Sequence, residues 1–394
     1  MSEWKEYTIG EICSRFSSGK SIKASQISAE GLYPVYGGNG LRGFTDTFNF
    51  DGECSIIGRQ GAYCGNVRYF KGKAFMTEHA IVAVVNENHN NGYVSNLLSM
   101  MNLAQYQGQS AQPGLSVSTL SKITIKLPDL ATQEQCFNVL NLIDQKIQIN
   151  NQINQELEAM AKTLYDYWFV QFDFPDQNGK PYKSSGGKMV YNPELKREIP
   201  EGWGVETLVD NTLSKVIKPG IDHFTQKTYL ATGDVVNTSI KDGRLITFEN
   251  RETRANMQPS VNSVWFAKMK CSNKHLFLSH SMKELVDSTI LSTGFMGLQC
   301  KEESFEYIAS FISDPNFEIF KDTLSHGATQ EAVNIDDLRS VPVIIPDDYI
   351  LSEFHRIAKS IFLNLGRNMI EDKTLSSLRD WLLPMLMNGQ VKVE

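Results

Sequence analysis

The stretch Leu140-Asn141-Leu142-Ile143-Asp144-Gln145-Lys146-Ile147-Gln148-Ile149-Asn150-Asn151-Gln152-Ile153-Asn154-Gln155-Glu156-Leu157 decides the fold. Leu140, Ile143, Ile147, Asn150, Asn154, Leu157, Ala161, Leu164 and Trp168 follow one another at alternating steps of three and four. That spacing keeps one stripe of a helix turned toward a partner helix. The series returns as Phe354, Ile357, Ile361, Asn364, Asn368, Glu371, Leu375, Leu378 and Leu382, displaced throughout by 214 residues. Pro128 and Pro346 stand just before the two helices, where a missing N–H costs little, and Pro384 is expected to end or kink the second.

Both series carry asparagines at the same places, Asn150 with Asn154 and Asn364 with Asn368. Buried polar layers cost stability but set register, because a slipped pairing leaves amides without partners. In an antiparallel pair the two sets of asparagines meet near the middle, and the chain becomes pseudo-twofold. Residues 133–170 as one helix would span roughly 55 Å at about 1.5 Å per residue, a ruler between two globular units.

Outward from the helices, the chain repeats itself. Trp4-Lys5-Glu6-Tyr7-Thr8-Ile9-Gly10-Glu11-Ile12 is echoed 199 residues later by Trp203-Gly204-Val205-Glu206-Thr207-Leu208-Val209-Asp210. Gln112-Pro113-Gly114-Leu115-Ser116-Val117-Ser118-Thr119-Leu120 is echoed 218 residues later by Gln330-Glu331-Ala332-Val333-Asn334-Ile335-Asp336-Asp337-Leu338. Matching ends around different middles describe a duplicated scaffold that holds two diverged variable regions.

Those middles read as short strands broken by Gly and Asn, such as Cys54–Ile57, Ala80–Val85 and Ser263–Ala267, with helices around Tyr93–Leu103 and Phe305–Phe311. The fold class is therefore α+β: two similar units of bent β-sheet with short helices, joined by two long antiparallel coiled-coil helices. The expected divisions are 1–130, 131–171 for the central helix, 172–202 for a turn-rich linker, 203–346, and 347–394 for the C-terminal helix.

The composition of the 394 residues narrows the function. No apolar run approaches the length of a membrane span, the opening Met1-Ser2-Glu3-Trp4-Lys5 is not a secretory signal, and the six cysteines show no C-x-x-C pair. Reduced thiols in a cytoplasmic protein are expected. The net charge of −7 is unevenly spread. Residues 215–283 carry a local balance of +6 and residues 20–73 one of +3, the pattern of focused anionic contacts with low background binding.

Catalytic patterns are missing. Gly38-Asn39-Gly40-Leu41-Arg42-Gly43 spells G-x-G-x-x-G, but Phe44–Phe50 after it alternates like a strand rather than opening the helix a dinucleotide site needs. There is no phosphate-binding loop and no amino-methyltransferase tetrapeptide, and His79, His280 and His326 have no evident nucleophile partner. Neither a catalytic site nor a metal site is expected.

Three further segments complete the picture: Leu164-Tyr165-Asp166-Tyr167-Trp168-Phe169-Val170 running into Phe172-Asp173-Phe174-Pro175, Glu198-Ile199-Pro200-Glu201-Gly202-Trp203, and Leu382-Leu383-Pro384-Met385-Leu386-Met387-Asn388-Gly389-Gln390-Val391. With the duplicated ends, they make the chain resemble the specificity subunit of type I restriction-modification systems from end to end. The resemblance implies two target recognition domains, each reading one half of a bipartite, asymmetric site in double-stranded DNA, with the helices setting the gap. It implies two methyltransferase (modification) subunits that use S-adenosylmethionine, and motor-nuclease (restriction) subunits that use ATP and Mg. No cofactor is implied for this chain itself.

Sequence is read at groove edges, whereas backbone contacts set position and affinity. Small residues let the backbone approach DNA, so the first unit's candidates are Tyr36, Asn39, Arg59, Gln60, Tyr63 and His79 in glycine-rich loops. Those of the second unit are Lys227, Tyr229, Lys241, Arg244, Lys268, Lys270 and Thr293. The rival readings are a coiled-coil scaffold that reads no DNA and a self-contained DNA methyltransferase or nuclease.

Overall fold

The computed structural model describes residues 4–108, 114–241, 243–328 and 330–393. Met1–Glu3, Gln112 and Pro113 of the repeated segment, and Asp242 of the basic stretch lie outside the described residues. The chain divides into two compact units, Met1–Lys146 with Leu375–Glu394, and Ile147–Thr374.

In the first unit six strands form one sheet, in the order Cys13–Ser18, Ala80–Val85, Phe50–Gly58, Val67–Met76, Tyr33–Gly37, Gly40–Thr45. Neighbours are antiparallel apart from Tyr33–Gly37 beside Val67–Met76. Ala80–Val85 is apolar at every position because both faces of the sheet are covered there. Helix Asn91–Met100 covers one face and buries Tyr93, Val94 and Leu98; its first turn is capped by Asn90, whose Oδ1 accepts from the Tyr93 N–H at 2.8 Å. The same core takes Cys136 and Leu140 from the central helix (Leu130–Tyr165) and Leu386 and Met387 from the C-terminal helix (Asp348–Met387). Arg379 Nη1 donates to Asp144 Oδ1 at 3.0 Å between those helices. Gly389, at φ +73°, lies under the Trp4 indole, where a Cβ would come within 2.7 Å of the ring.

The second unit holds two four-stranded sheets in place of one. One runs Ser214–Val216, Phe295–Cys300, Ser263–Ala267, His275–Leu278; the other runs Arg244–Ile246, Lys227–Leu230, Thr289–Ser292, Ala255–Met257. Thr289–Ser292 leaves one sheet and Phe295–Cys300 enters the other across the turn Thr293-Gly294. Helices Phe305–Ser313 and Pro315–Leu324 back this region. Trp265 is fully buried, and its Nε1–H donates to Ser263 Oγ at 2.8 Å.

Despite the different middles, the repeated ends build the same frame. Lys5–Thr8 pairs antiparallel with Thr124–Leu127, Lys5 opposite Leu127; Gly204–Thr207 pairs antiparallel with Pro342–Ile345, Gly204 opposite Ile345. Adding the two repeat offsets to the first register gives the second.

Within the second unit the long helices run antiparallel. Asn368 Nδ2 donates to Asn154 Oδ1 at 2.8 Å, while Asn150 Nδ2 donates to Asp372 Oδ1 at 2.7 Å and Glu371 Oε2 at 2.8 Å, so the numbering rises on one helix as it falls on the other. The expectation that both asparagine sets meet needs correction for Asn364, which is exposed. Once Asn154 and Asn368 face each other, antiparallel register puts residues 158 and 364 at the same level, and Asn150 meets carboxylates instead. The C-terminal helix also continues past Pro384 to Met387.

The stretch read as an irregular linker is more ordered than that reading. The central helix closes in a π-helical turn at Asp166–Val170, and Met189–Asn192 and Arg197–Pro200 form a hairpin. Phe172 and Phe174 are buried against Trp203. Arg197 sits 4.6 Å from the Phe172 ring centroid. Aromatic area, not turn chemistry, decides this segment.

Candidate nucleic-acid interface

Three loops of the first unit interlock through their backbones at one end of its sheet. The Thr77 N–H donates to Tyr36 O at 2.9 Å, the Arg59 N–H to His79 O at 3.0 Å, and the Leu115 N–H to Arg59 O at 2.9 Å. A Cβ on Gly38 would meet His79 O at 3.1 Å and Gln60 O at 3.2 Å, so any side chain there would push these loops apart by a few tenths of an ångström. Tyr36, Asn39, Arg59, Gln60, Tyr63 and His79, dispersed over more than forty residues of sequence, are thereby brought together.

Their roles differ. Asn39, Tyr63 and His79 are exposed, whereas Tyr36 is half-buried with its ring edge-on to Phe70 at 5.1 Å. Arg59 is turned inward, its Nε donating to Leu115 O and its Nη1 to Ser18 Oγ, both at 3.4 Å, so it braces the loops. His79 Nδ1 lies 3.2 Å from Gln60 Oε1 and its Nε2 lies 3.6 Å from Glu78 Oε1, which holds the Gln60 amide from behind. Thr77 is fully buried, and its Oγ1 has no hydrogen-bond partner. Beside these loops lies a recess of about 340 Å3 lined by Asn39, Gly40, Gly58, Tyr63, Asn66 and Arg68. Sequence reasoning missed Asn66 and Arg68; the only available signal was that Arg68 belongs to the basic residues of 20–73.

In the second unit the candidates separate into two groups. Lys268 and Thr293 are neighbours: the Lys268 N–H donates to Gly294 O at 3.0 Å and the Thr293 N–H to Arg254 O at 2.8 Å. Burial, and next the nearby Arg254 charge, hold the Lys268 ammonium below the usual lysine range. Two cations near enough to perturb one another favour an anion beside them. Arg254 was not among the candidates. Lys270 is exposed and paired with Glu331 at 2.6 Å.

Lys227, Tyr229 and Arg244 of the other group lie on the sheet formed by Arg244–Ile246 and Lys227–Leu230, and Lys241 lies in the loop before Arg244. Lys227 Nζ donates to Gln258 Oε1 at 2.8 Å and is held below its ordinary range by burial. Lys241 is exposed, and Arg244 is exposed but paired with Glu252. Tyr229 needs correction as a contact residue: it is buried with Phe224, Ile246, Ala255 and Ile290. Arg244, directly opposite in the antiparallel pair, shares that face and lies at the rim of the cluster, its guanidinium 5.9 Å from the centroid of the Tyr229 ring.

Residues 1–159 match the family described as the type I restriction modification DNA specificity domain. The chain is 40% identical over 146 residues to the type I restriction enzyme EcoprrI specificity subunit of Escherichia coli, which is 36% of each chain. It is 25% identical over 309 residues to the type I restriction enzyme MjaIX specificity subunit of Methanocaldococcus jannaschii, covering 74% of this chain and 66% of that one. The matches thus span about a third of the first relative's length and about two thirds of the second's. Among solved structures, the type I restriction-modification S subunit from M. genitalium shares the fold, with a TM-score of 0.59 over 98% of this chain and 96% of that one, at 14% identity.

Proposed function

We propose that this chain, whose N-terminal segment belongs with the type I restriction modification DNA specificity domains, is a non-catalytic subunit that reads a bipartite, asymmetric site in double-stranded DNA. It directs adenine methylation by modification subunits using S-adenosylmethionine, and restriction by motor-nuclease subunits using ATP and Mg.

One observation carries this reading. An identical frame, Lys5 opposite Leu127 in one unit and Gly204 opposite Ile345 in the other, closes around one six-stranded sheet in the first case and two four-stranded sheets in the second. A scaffold that only joins proteins has no use for duplicated ends with diverged middles. A reader of two different half-sites does, because docking repeats while groove-edge chemistry must differ. Among the described residues the outward groups of each unit are largely donors and cations, which supports binding to an anionic partner.

The test is reconstitution with a candidate adenine modification subunit from the same organism, followed by sequencing of methylated positions. A two-part motif is expected, with Gln60→Ala altering only one part. Methylation without sequence preference would favour the scaffold; methyl transfer by the purified chain alone would favour the enzyme.

A further inference from the structure

We infer that the recess beside Gly40 in the first unit is a seat for a single DNA phosphate, held by Arg68 with Asn39, Asn66 and the Tyr63 hydroxyl. The inference rests on the reading of this unit as DNA-binding and assigns the recess a positioning rather than a base-reading task.

Arg68 stands at the start of strand Val67–Met76, opposite Ile56 of the neighbouring strand, and Ile56 lines the same recess. Its guanidinium lies against the backbone of Gly40: a Cβ there would come within 3.1 Å of Nη2 and 3.2 Å of Nη1, and Gly40 has φ +98°. Any larger residue at position 40 would be strained and would displace the arginine. The side chain of Arg68 has no ion pair or hydrogen bond among the described residues. Neither do the side chains of Asn39 and Asn66, the Tyr63 hydroxyl, or the amide N–H groups of Gly38 and Asn39. Arg42, Arg59 and Lys20 lie in the same basic stretch. A recess walled by glycine backbone and edged with an unpaired guanidinium, two amides and a phenol presents donors from several directions, which is what a tetrahedral oxyanion takes up.

Shape separates phosphate from base. A base that stays stacked presents a flat edge at the groove floor and cannot enter a recess, whereas a phosphate projects from the duplex. A base-reading arginine must also be fixed in plane to hold two hydrogen bonds at once, and no carboxylate holds Arg68.

The experiment uses the complete complex of this chain with its methyltransferase subunit, binding duplexes over a salt series. Arg68→Gln is expected to weaken cognate and non-cognate duplexes alike, roughly ten-fold or more. It should also reduce the slope of log affinity against log salt by about one, with the methylated motif unchanged. Duplexes carrying one neutral methylphosphonate, walked along the half-site, should show a position where wild type loses as much as Arg68→Gln, and where the two losses do not add. Inorganic phosphate should compete with DNA for wild type no better than its ionic strength predicts; specific competition lost in Arg68→Gln would make the recess a free-phosphate site and overturn the proposal. A motif relaxed at one base pair would make Arg68 a base reader, and an unchanged slope and affinity would leave it without a DNA contact; either overturns the proposal. If wild type shows no sequence preference, the function above fails, while the slope and methylphosphonate arms still decide the seat. Arg68 is exposed, so the substitution does not threaten folding.

Discussion

Asn154 and Asn368 hold the same place in the duplicated sequence, and in the folded chain they bond to each other, Nδ2 of Asn368 to Oδ1 of Asn154 at 2.8 Å. A repeat whose own equivalents meet has its register set at that level. Every other contact between the two helices in this unit follows from it, including the two carboxylates, Glu371 and Asp372, that accept from buried Asn150.

Replacing Asn154 alone by leucine strands the Asn368 amide against an apolar group and should cost about 1–3 kcal/mol. Asn154→Leu with Asn368→Leu should recover most of that loss. A denaturant double-mutant cycle measures the coupling, and strictly additive losses would show that the pair is not the register device.

Tyr229 belongs to the core. Tyr229→Phe should leave the methylated motif and DNA affinity unchanged. Tyr229→Ala should lower stability by about 3–5 kcal/mol through the cavity it leaves. Thermal melting and motif sequencing check both; an altered motif in Tyr229→Phe would return the residue to the interface.

Burial raises the carboxyl pKa of Glu306 above the ordinary 4.5, although its Oε2 lies 2.6 Å from His355 Nδ1. A carboxyl with a raised folded-state value favours folding while protonated and loses that advantage as pH rises through the shifted value. Glu306→Gln should therefore gain in melting temperature over wild type on going from pH 4 to pH 7. A difference that stays flat or shrinks over that range would reverse the sign.

Burial pushes the Cys13 and Cys54 thiols up to about 12, whereas Cys271 is exposed. An alkylating reagent at pH 7.5 should modify Cys271 first, and Cys271→Ser should remove the fast phase seen by intact-mass spectrometry. Early labelling of Cys13 or Cys54 would contradict their placement.

The helices and the repeat frame were legible because both are written in spacing. A three-four stripe specifies a seam wherever it lies, and Lys5–Thr8 and Gly204–Thr207 announce themselves by similarity to one another. Asn364 was misplaced for a related reason. Position in the repeat says which residues are equivalent, but only the level at which the antiparallel helices stop sliding says which of them meet.

Tyr229 and Arg68 show where spacing carries no information. Tyr229 and Arg244 are partners in one strand pair, yet one is core and the other surface, and composition alone makes both look like contact residues. Arg68 reaches Gly40 only because Val67–Met76 pairs parallel with Tyr33–Gly37 and antiparallel with Phe50–Gly58.

By itself, then, the amino-acid order determined the duplicated frame, the two long helices and the regions where basic residues concentrate, since each depends on periodicity or local charge. Only the tertiary structure decided how the strands are ordered, which basic side chains are spent on Glu252 or Glu331, and which arginine is left unpaired over a recess. Those outcomes depend on pairings between segments far apart in the chain, and strand pairing is chosen by burial of the whole sheet rather than by any residue's neighbours in sequence.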